Sequence, residues 1–255
     1  GMARAFGIHR SMDQAGAIAG PALAFVLFPL VGFEGIFYLS IVPGAAAVII
    51  LFLFVKERIT PSQARAVSAN IRAVLAERRF VVLLAIMGVF SLGAFNFSFV
   101  LVRASDLGVE DGMVVLVYLV INAAHTAVGY PAGILADRIG KEKMLPVAYA
   151  VFAVSTFAML SSTNAIQAYA VAIVYGVYVG IAETVQRAVV PRYVKSEHRG
   201  TAYGLYNLVV GLAFLAANVV FGVLLDSSGI ALAATYSIAT SIVAIAAMLA
   251  FMAKK

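Results

Sequence analysis

The sequence predicts an all-α, polytopic membrane protein with eight transmembrane helices, and three observations carry that prediction. Of its 255 residues, 63% are hydrophobic and only 12% charged, against roughly 45–50% and ~25% in soluble domains. A soluble fold built from this chain would expose apolar surface on every side. The apolar residues also come in long runs, near the roughly 20 residues needed to cross a ~30 Å hydrocarbon core. Finally, the charges fall between those runs, and the basic ones segregate to alternate connections.

The first run, Ala15–Phe33, has an amphipathic lead from Arg4 and joins the second, Gly35–Val55, through a very short connection. The longest polar segment follows, "KERITPSQARAVSANIRAVLAERR" over 56–79. Val67, Ile71, Val74 and Leu75 recur there at helical spacing while Arg65, Arg72, Arg78 and Arg79 take other faces. Two readings stand, an amphipathic helix on the membrane surface or a solvated linker. Six further runs complete the chain: Phe80–Val102, Met113–Ala136, Met144–Leu160, Ala165–Val190, Ala202–Leu225 and Ile230–Met252. With the N-terminus placed inside, every one of the 18 Lys and Arg residues except Arg103 falls on the inner side. Glu34, Asp106, Glu110, Asp111 and Asp226 accompany Arg103 outside. The positive-inside bias therefore predicts eight spans with both termini cytoplasmic. The opening "GMARAFGIHRSMDQ" is too polar for a secretory signal peptide.

Composition also narrows function. With no cysteine there are no disulfides and no thiolate metal ligands, and neither a metal nor a cofactor is expected. The net charge of +6 is spread between spans rather than along a basic stripe, so nucleic acid is not an expected partner. The sequence contains no H-E-x-x-H, G-x-S-G-type or G-x-G-D pattern, which leaves an intramembrane enzyme without candidate residues.

Two stretches echo each other. Ala5-Phe6-Gly7-Ile8 in the first span's lead aligns with Ala202-Tyr203-Gly204-Leu205 at the entrance of the seventh. One further span and a basic end follow each. Spans one and two therefore read as repeats of spans seven and eight, as in transporters built from parallel repeats.

The inner turn between spans four and five reads "GYPAGILADRIGKEK". Its Gly133, Asp137, Arg138, Gly140, Lys141 and Lys143 resemble the loop signature of the major facilitator superfamily. Gly133 offers close approach to a neighbouring helix. Asp137 at the membrane edge can accept from free N–H groups at a helix N-terminus. Gly140 permits a left-handed turn, and the cations face an anionic leaflet. By pseudo-symmetry the turn's expected neighbour is the entrance of span one, near Arg4–Gly7, which makes Asp137 a candidate gate latch. Gly16, Gly20 and Pro21 resemble the start of the superfamily's antiporter motif, although Ala24 and Phe25 stand where it continues with a glycine pair; the other reading is close helix packing. The stretch from Gly176 to Gly211 resembles helices ten and eleven of uncharacterised or efflux-type bacterial members.

The resemblance implies helices five to twelve of a twelve-helix transporter. Residues 1–55 would be the last two helices of the N-terminal half, 56–79 a cytoplasmic linker, and 80–255 the complete six-helix C-terminal half. The missing N-terminal helices then become an implied partner, alongside the lipid bilayer, a small organic solute and protons. The implied location is a bacterial inner membrane.

Polar groups inside spans are functional candidates by default. Glu183 and Arg187 share a face of span six in the favourable Glu-before-Arg order, either as an internal ion pair or as a proton-coupling site. Asp13, with His9 and Arg10 one turn before it, is a second coupling candidate or a solvated helix end. His125 and Asn122 share a face of span four, where a histidine can carry protons or bond a neighbouring helix. Asn96, Tyr175 and Tyr178 are cavity candidates for an amphiphilic solute, or packing residues. Pro131 marks a flexing point in span four. Together these residues predict a secondary transporter that works by alternating access, with proton-coupled efflux as the leading mode. The alternative is a truncated, non-transporting membrane protein with a scaffold or regulatory role.

Overall fold

The computed structural model describes residues 2–54 and 71–253, without the side chains of residues 2–15, 17 and 18. All regular structure among them is helical. The helices are α1 (Met2–Phe54), α2 (Arg78–Gly93), α3 (Phe97–Asp106), α4 (Asp111–Ile139), α5 (Lys141–Ser161), α6 (Ala165–Val189) and α7 (Arg199–Ala253). A helical turn also covers 71–76, and two 3₁₀ turns, Val190–Arg192 and Ser196–His198, link α6 to α7. Most of the linker expected over 56–79 lies outside the described residues.

Six helical segments among the described residues are long and apolar enough to cross a membrane. Two of them are far too long for one crossing. At ~1.5 Å per residue, the 53 residues of α1 and 55 of α7 would each reach about 80 Å. Each is interrupted by one glycine in the positive-φ region, Gly32 (φ 65°, ψ −176°) and Gly229 (φ 77°, ψ 179°), which side chains with a Cβ rarely adopt. The packing of α7 shows that the chain reverses there. Before Gly229, Val209 approaches Gly88 and Asn218 reaches Asn96, so this half runs parallel to α2 and α3. After it, Thr240 packs on Gly93 and Phe251 lies near Arg79, so the second half runs back.

Span three was expected as one unbroken apolar run. The chain instead leaves the helix at Ala94–Asn96 and restarts at Phe97. Backbone polar groups freed inside a membrane must find partners within the protein. Here the Tyr175 hydroxyl donates to the Phe95 carbonyl at 2.7 Å, and the Tyr236 hydroxyl donates to the Leu92 carbonyl. The Asn96 N–H donates to Asn218 Oδ1 at 2.8 Å, while the Asn96 side chain caps α3 by accepting from the Ser98 N–H.

The tightest helix pairing joins α4 and α6, which run parallel. A Cβ at Gly176 would lie 2.4 Å from the Ile121 carbonyl oxygen, and one at Gly180 would lie 2.7 Å from that of His125. Backbone therefore rests on backbone, as small residues permit between membrane helices. The expected approach at Gly133 is looser, because a Cβ there would meet Thr184 Cγ2 at an ordinary 3.5 Å. Nothing described lies within 4 Å of a Cβ placed at Gly16 or Gly20, and the described side chains of α1 are all at least partly exposed. Pro131 sits inside α4, which continues to Ile139.

Candidate functional site

The glycine contact between α4 and α6 sets the geometry of the site. It brings the His125 backbone against Gly180, so that the imidazole meets the carboxylate one turn further along α6. His125 Nε2 lies 3.5 Å from Glu183 Oε2, with the two side chains 18% and 55% exposed. Among the described residues Glu183 lies beside His125 and not Arg187, so a contact between helices stands in place of the internal ion pair that was one of its two readings.

Both residues face a cavity of about 510 Å³ between α2, α3, α4, α6 and the first half of α7. Its size suits a small organic molecule. Seven of the residues singled out by sequence line it: Asn96, Asn122, His125, Tyr175, Tyr178, Glu183 and Arg187. Asp13 cannot be placed, since its side chain lies outside the described residues.

The wall is largely aromatic and firmly backed. Phe90 stacks on Tyr149 with ring centroids 3.9 Å apart, and Tyr178 meets Phe152 at 4.8 Å and Tyr175 at 5.4 Å. Tyr175 and Tyr178 thus fill both readings, packing within a buried cluster while showing an edge to the cavity. Phe97 and Tyr118 close the end near the helix break. Asn122 donates to the Tyr118 carbonyl at 2.9 Å and holds its amide along α4.

Polar lining residues that the sequence reading left aside include Gln186, Tyr206 and Asn207. Gln186 accepts from the Tyr206 hydroxyl at 3.0 Å, joining α6 to α7, and Asn207 follows beside it. An amide one turn after Glu183 in an apolar run was a legible signal for Gln186. Asn207, an amide in the apolar run of span seven, was equally legible, whereas nothing marked Tyr206.

The signature turn lies at the basic end of the bundle. Gly140 has φ 104° and ψ 133°, a positive-φ conformation that residues with a Cβ rarely adopt, although not the left-handed helical one. Asp137 pairs with Lys141 Nζ at 3.5 Å and is otherwise exposed. The side chains near Arg4–Gly7, its expected neighbours, lie outside the described residues. Arg138 and Lys143 are exposed. Glu142, not singled out before, ties this turn to the one after α6. Its Oε2 accepts from Arg192 at 2.8 Å and its Oε1 from the Tyr193 hydroxyl at 2.9 Å. Burial, with the Glu142 carboxylate beside it, pushes the Tyr193 hydroxyl up to about 12, so it stays a neutral donor at physiological pH.

Residues 84–255 match the family described as Major Facilitator Superfamily. The chain belongs to the major facilitator superfamily. A similar protein is an uncharacterised MFS-type transporter of Methanocaldococcus jannaschii, 30% identical over 235 residues that cover 88% of this chain and 58% of the relative. Uncharacterised proteins of Mycobacterium bovis and Mycobacterium tuberculosis are each 26% identical, over 89% of this chain and 58% of theirs. The chain thus spans less than two thirds of the length of the curated relatives it matches. The superfamily consists of transporters rather than enzymes, and its apolar helices make this chain an integral membrane protein.

Proposed function

We propose that this chain is the greater part of a secondary active transporter that moves a small amphiphilic organic solute by alternating access, in the direction of efflux and coupled to protons. The observation that carries this reading is a cavity between helices with the His125–Glu183 pair in its wall. An acid and an imidazole within 3.5 Å can hold and hand over one proton, and protonation removes the charge that a bound cationic or polar solute would otherwise meet.

The eight-crossing assignment counts α1 and α7 as two spans each, divided at Gly32 and Gly229. Those glycines share nearly the same dihedrals and lie at the same distance from the echoed segments that begin at Ala5 and Ala202. This equivalence supports reading 1–55 as the last two helices of one half and 80–255 as a complete second half, with 56–79 as the linker. The open faces at Gly16 and Gly20 then await helices of the first half. Both termini are assigned to the cytoplasm of a bacterial inner membrane by the positive-inside bias. Asp137 is assigned to the cycling of the two halves rather than to solute binding.

The test uses the full-length parent in proteoliposomes holding an internal pH dye, challenged with a panel of amphiphilic organic solutes. Solute-dependent proton movement is expected from the parent and abolished in Glu183→Gln. Unchanged proton movement in that variant, or none in the parent with any solute, overturns the coupling role.

A further inference from the structure

Two clefts at the basic end of the bundle share Arg79 and Phe251 and touch none of the residues of the central cavity. The larger, about 590 Å³, is a groove between α2 and the last turns of α7. Its walls are Val82, Ile86, Ala247 and Ala250, and Arg78 and Arg79 stand at its mouth. The smaller, about 280 Å³, continues from Arg79 beneath the two turns, among Lys143, Arg192 and Tyr193. Glu142 is the carboxylate among the residues lining it, and both its oxygens are already occupied by Arg192 and Tyr193. Among the described lining residues Arg78, Lys143 and Arg192 outnumber that one carboxylate. The Arg79 guanidinium lies 5.7 Å from the centre of the Phe251 ring, which sets it at the border between the two clefts.

We propose that these joined clefts bind one anionic phospholipid from the leaflet at the basic end, its phosphate between Arg79 and Lys143 and one acyl chain along the groove of Val82, Ile86 and Ala247. The chemistry changes from cationic to hydrocarbon over one continuous surface, which complements an amphiphile with a negative head. A free phosphate would use the smaller cleft and leave the larger apolar one without an occupant. The site requires only that the chain spans a membrane, so it stands or falls separately from the transport reading.

The test titrates the purified chain in detergent with phosphatidylglycerol, with phosphatidylcholine of the same acyl chains, and with inorganic phosphate. Native mass spectrometry counts the bound lipid. Phosphatidylglycerol is expected to bind at least about tenfold more tightly than phosphatidylcholine, and millimolar phosphate is expected not to displace it. The double variant Arg79→Gln/Lys143→Gln should weaken phosphatidylglycerol binding roughly 30-fold, while Arg199→Gln, an exposed cation outside both clefts, leaves it unchanged. Ala250→Trp fills the groove, keeps every cation, and should weaken both lipids. Equal retention of the two lipids, full displacement by phosphate, or parental binding by the double variant would overturn the proposal. Should the double variant fail to fold, parental binding by Ala250→Trp overturns it equally.

Discussion

At the scale of single residues, the informative side chains are those that neutralise a polar group inside an apolar bundle. Tyr175 and Asn218 hold the broken backbone at Phe95 and Asn96 from two different helices. Removing either partner takes a hydrogen bond from a backbone group inside the bundle, at a cost of about 1–3 kcal/mol. Tyr175→Phe and Asn218→Ala should each lower thermal stability accordingly, and an unchanged midpoint in either would count against the anchoring account. The pair His125–Glu183 was only half legible. Each was visible as an ionisable group in an apolar run, but sequence spacing pointed Glu183 at Arg187, four residues on. Spacing within one helix is readable from a sequence, whereas a partner on another helix is fixed by packing. Tyr193 belongs to the basic end. Its hydrogen bond to Glu142 should persist through neutral pH and weaken only as pH rises past 10 toward 12, because the hydroxyl is held protonated above its usual range.

The lesson at the scale of helices concerns where the chain bends and where it must not. Gly176 and Gly180 form a small-residue pair, one turn apart, that brings α6 onto the backbone of α4. That pattern was present in the sequence, but the tyrosines and Glu183 around it drew the functional reading instead. Since the obstructing atoms are backbone carbonyls, Gly180→Ala should cost about 1–3 kcal/mol and move His125 away from Glu183. Full stability and full transport in that variant would contradict the role given to the contact. The break at Ala94–Asn96 had no such signal. Gly93 ends the helix just before it, but glycines recur inside the other spans, and the break is held by three side chains from elsewhere that satisfy its freed backbone groups. The reversal within α7 was more legible, since length alone forbids a single crossing by so long a helix. Gly229→Ala places a Cβ in a region it rarely occupies and should destabilise the hairpin by roughly 1–3 kcal/mol, read as a lower thermal midpoint.

For the whole molecule, composition and run length were enough to predict an all-helical membrane protein, because the bilayer demands them whatever the details of packing. The signature around Asp137 pointed to the superfamily, and the match over residues 84–255 shows it. What the sequence could not display was that Asn96, Asn122, His125, Tyr175, Tyr178, Glu183 and Arg187, spread over more than ninety positions of the chain, share one cavity. That convergence is a property of helix order and direction, not of any local pattern. It leads to the central claim, that the cavity is the transport route and opens to each side of the membrane in turn. These 255 residues contain no cysteine, so once any cysteine elsewhere in the parent is changed to serine, one introduced at Val179 in the cavity wall reports alone. In the full-length parent bearing Val179→Cys, reconstituted in vesicles, a membrane-impermeant maleimide should label this position when applied from either face. Labelling from one face only, or from neither, would contradict alternating access through this site.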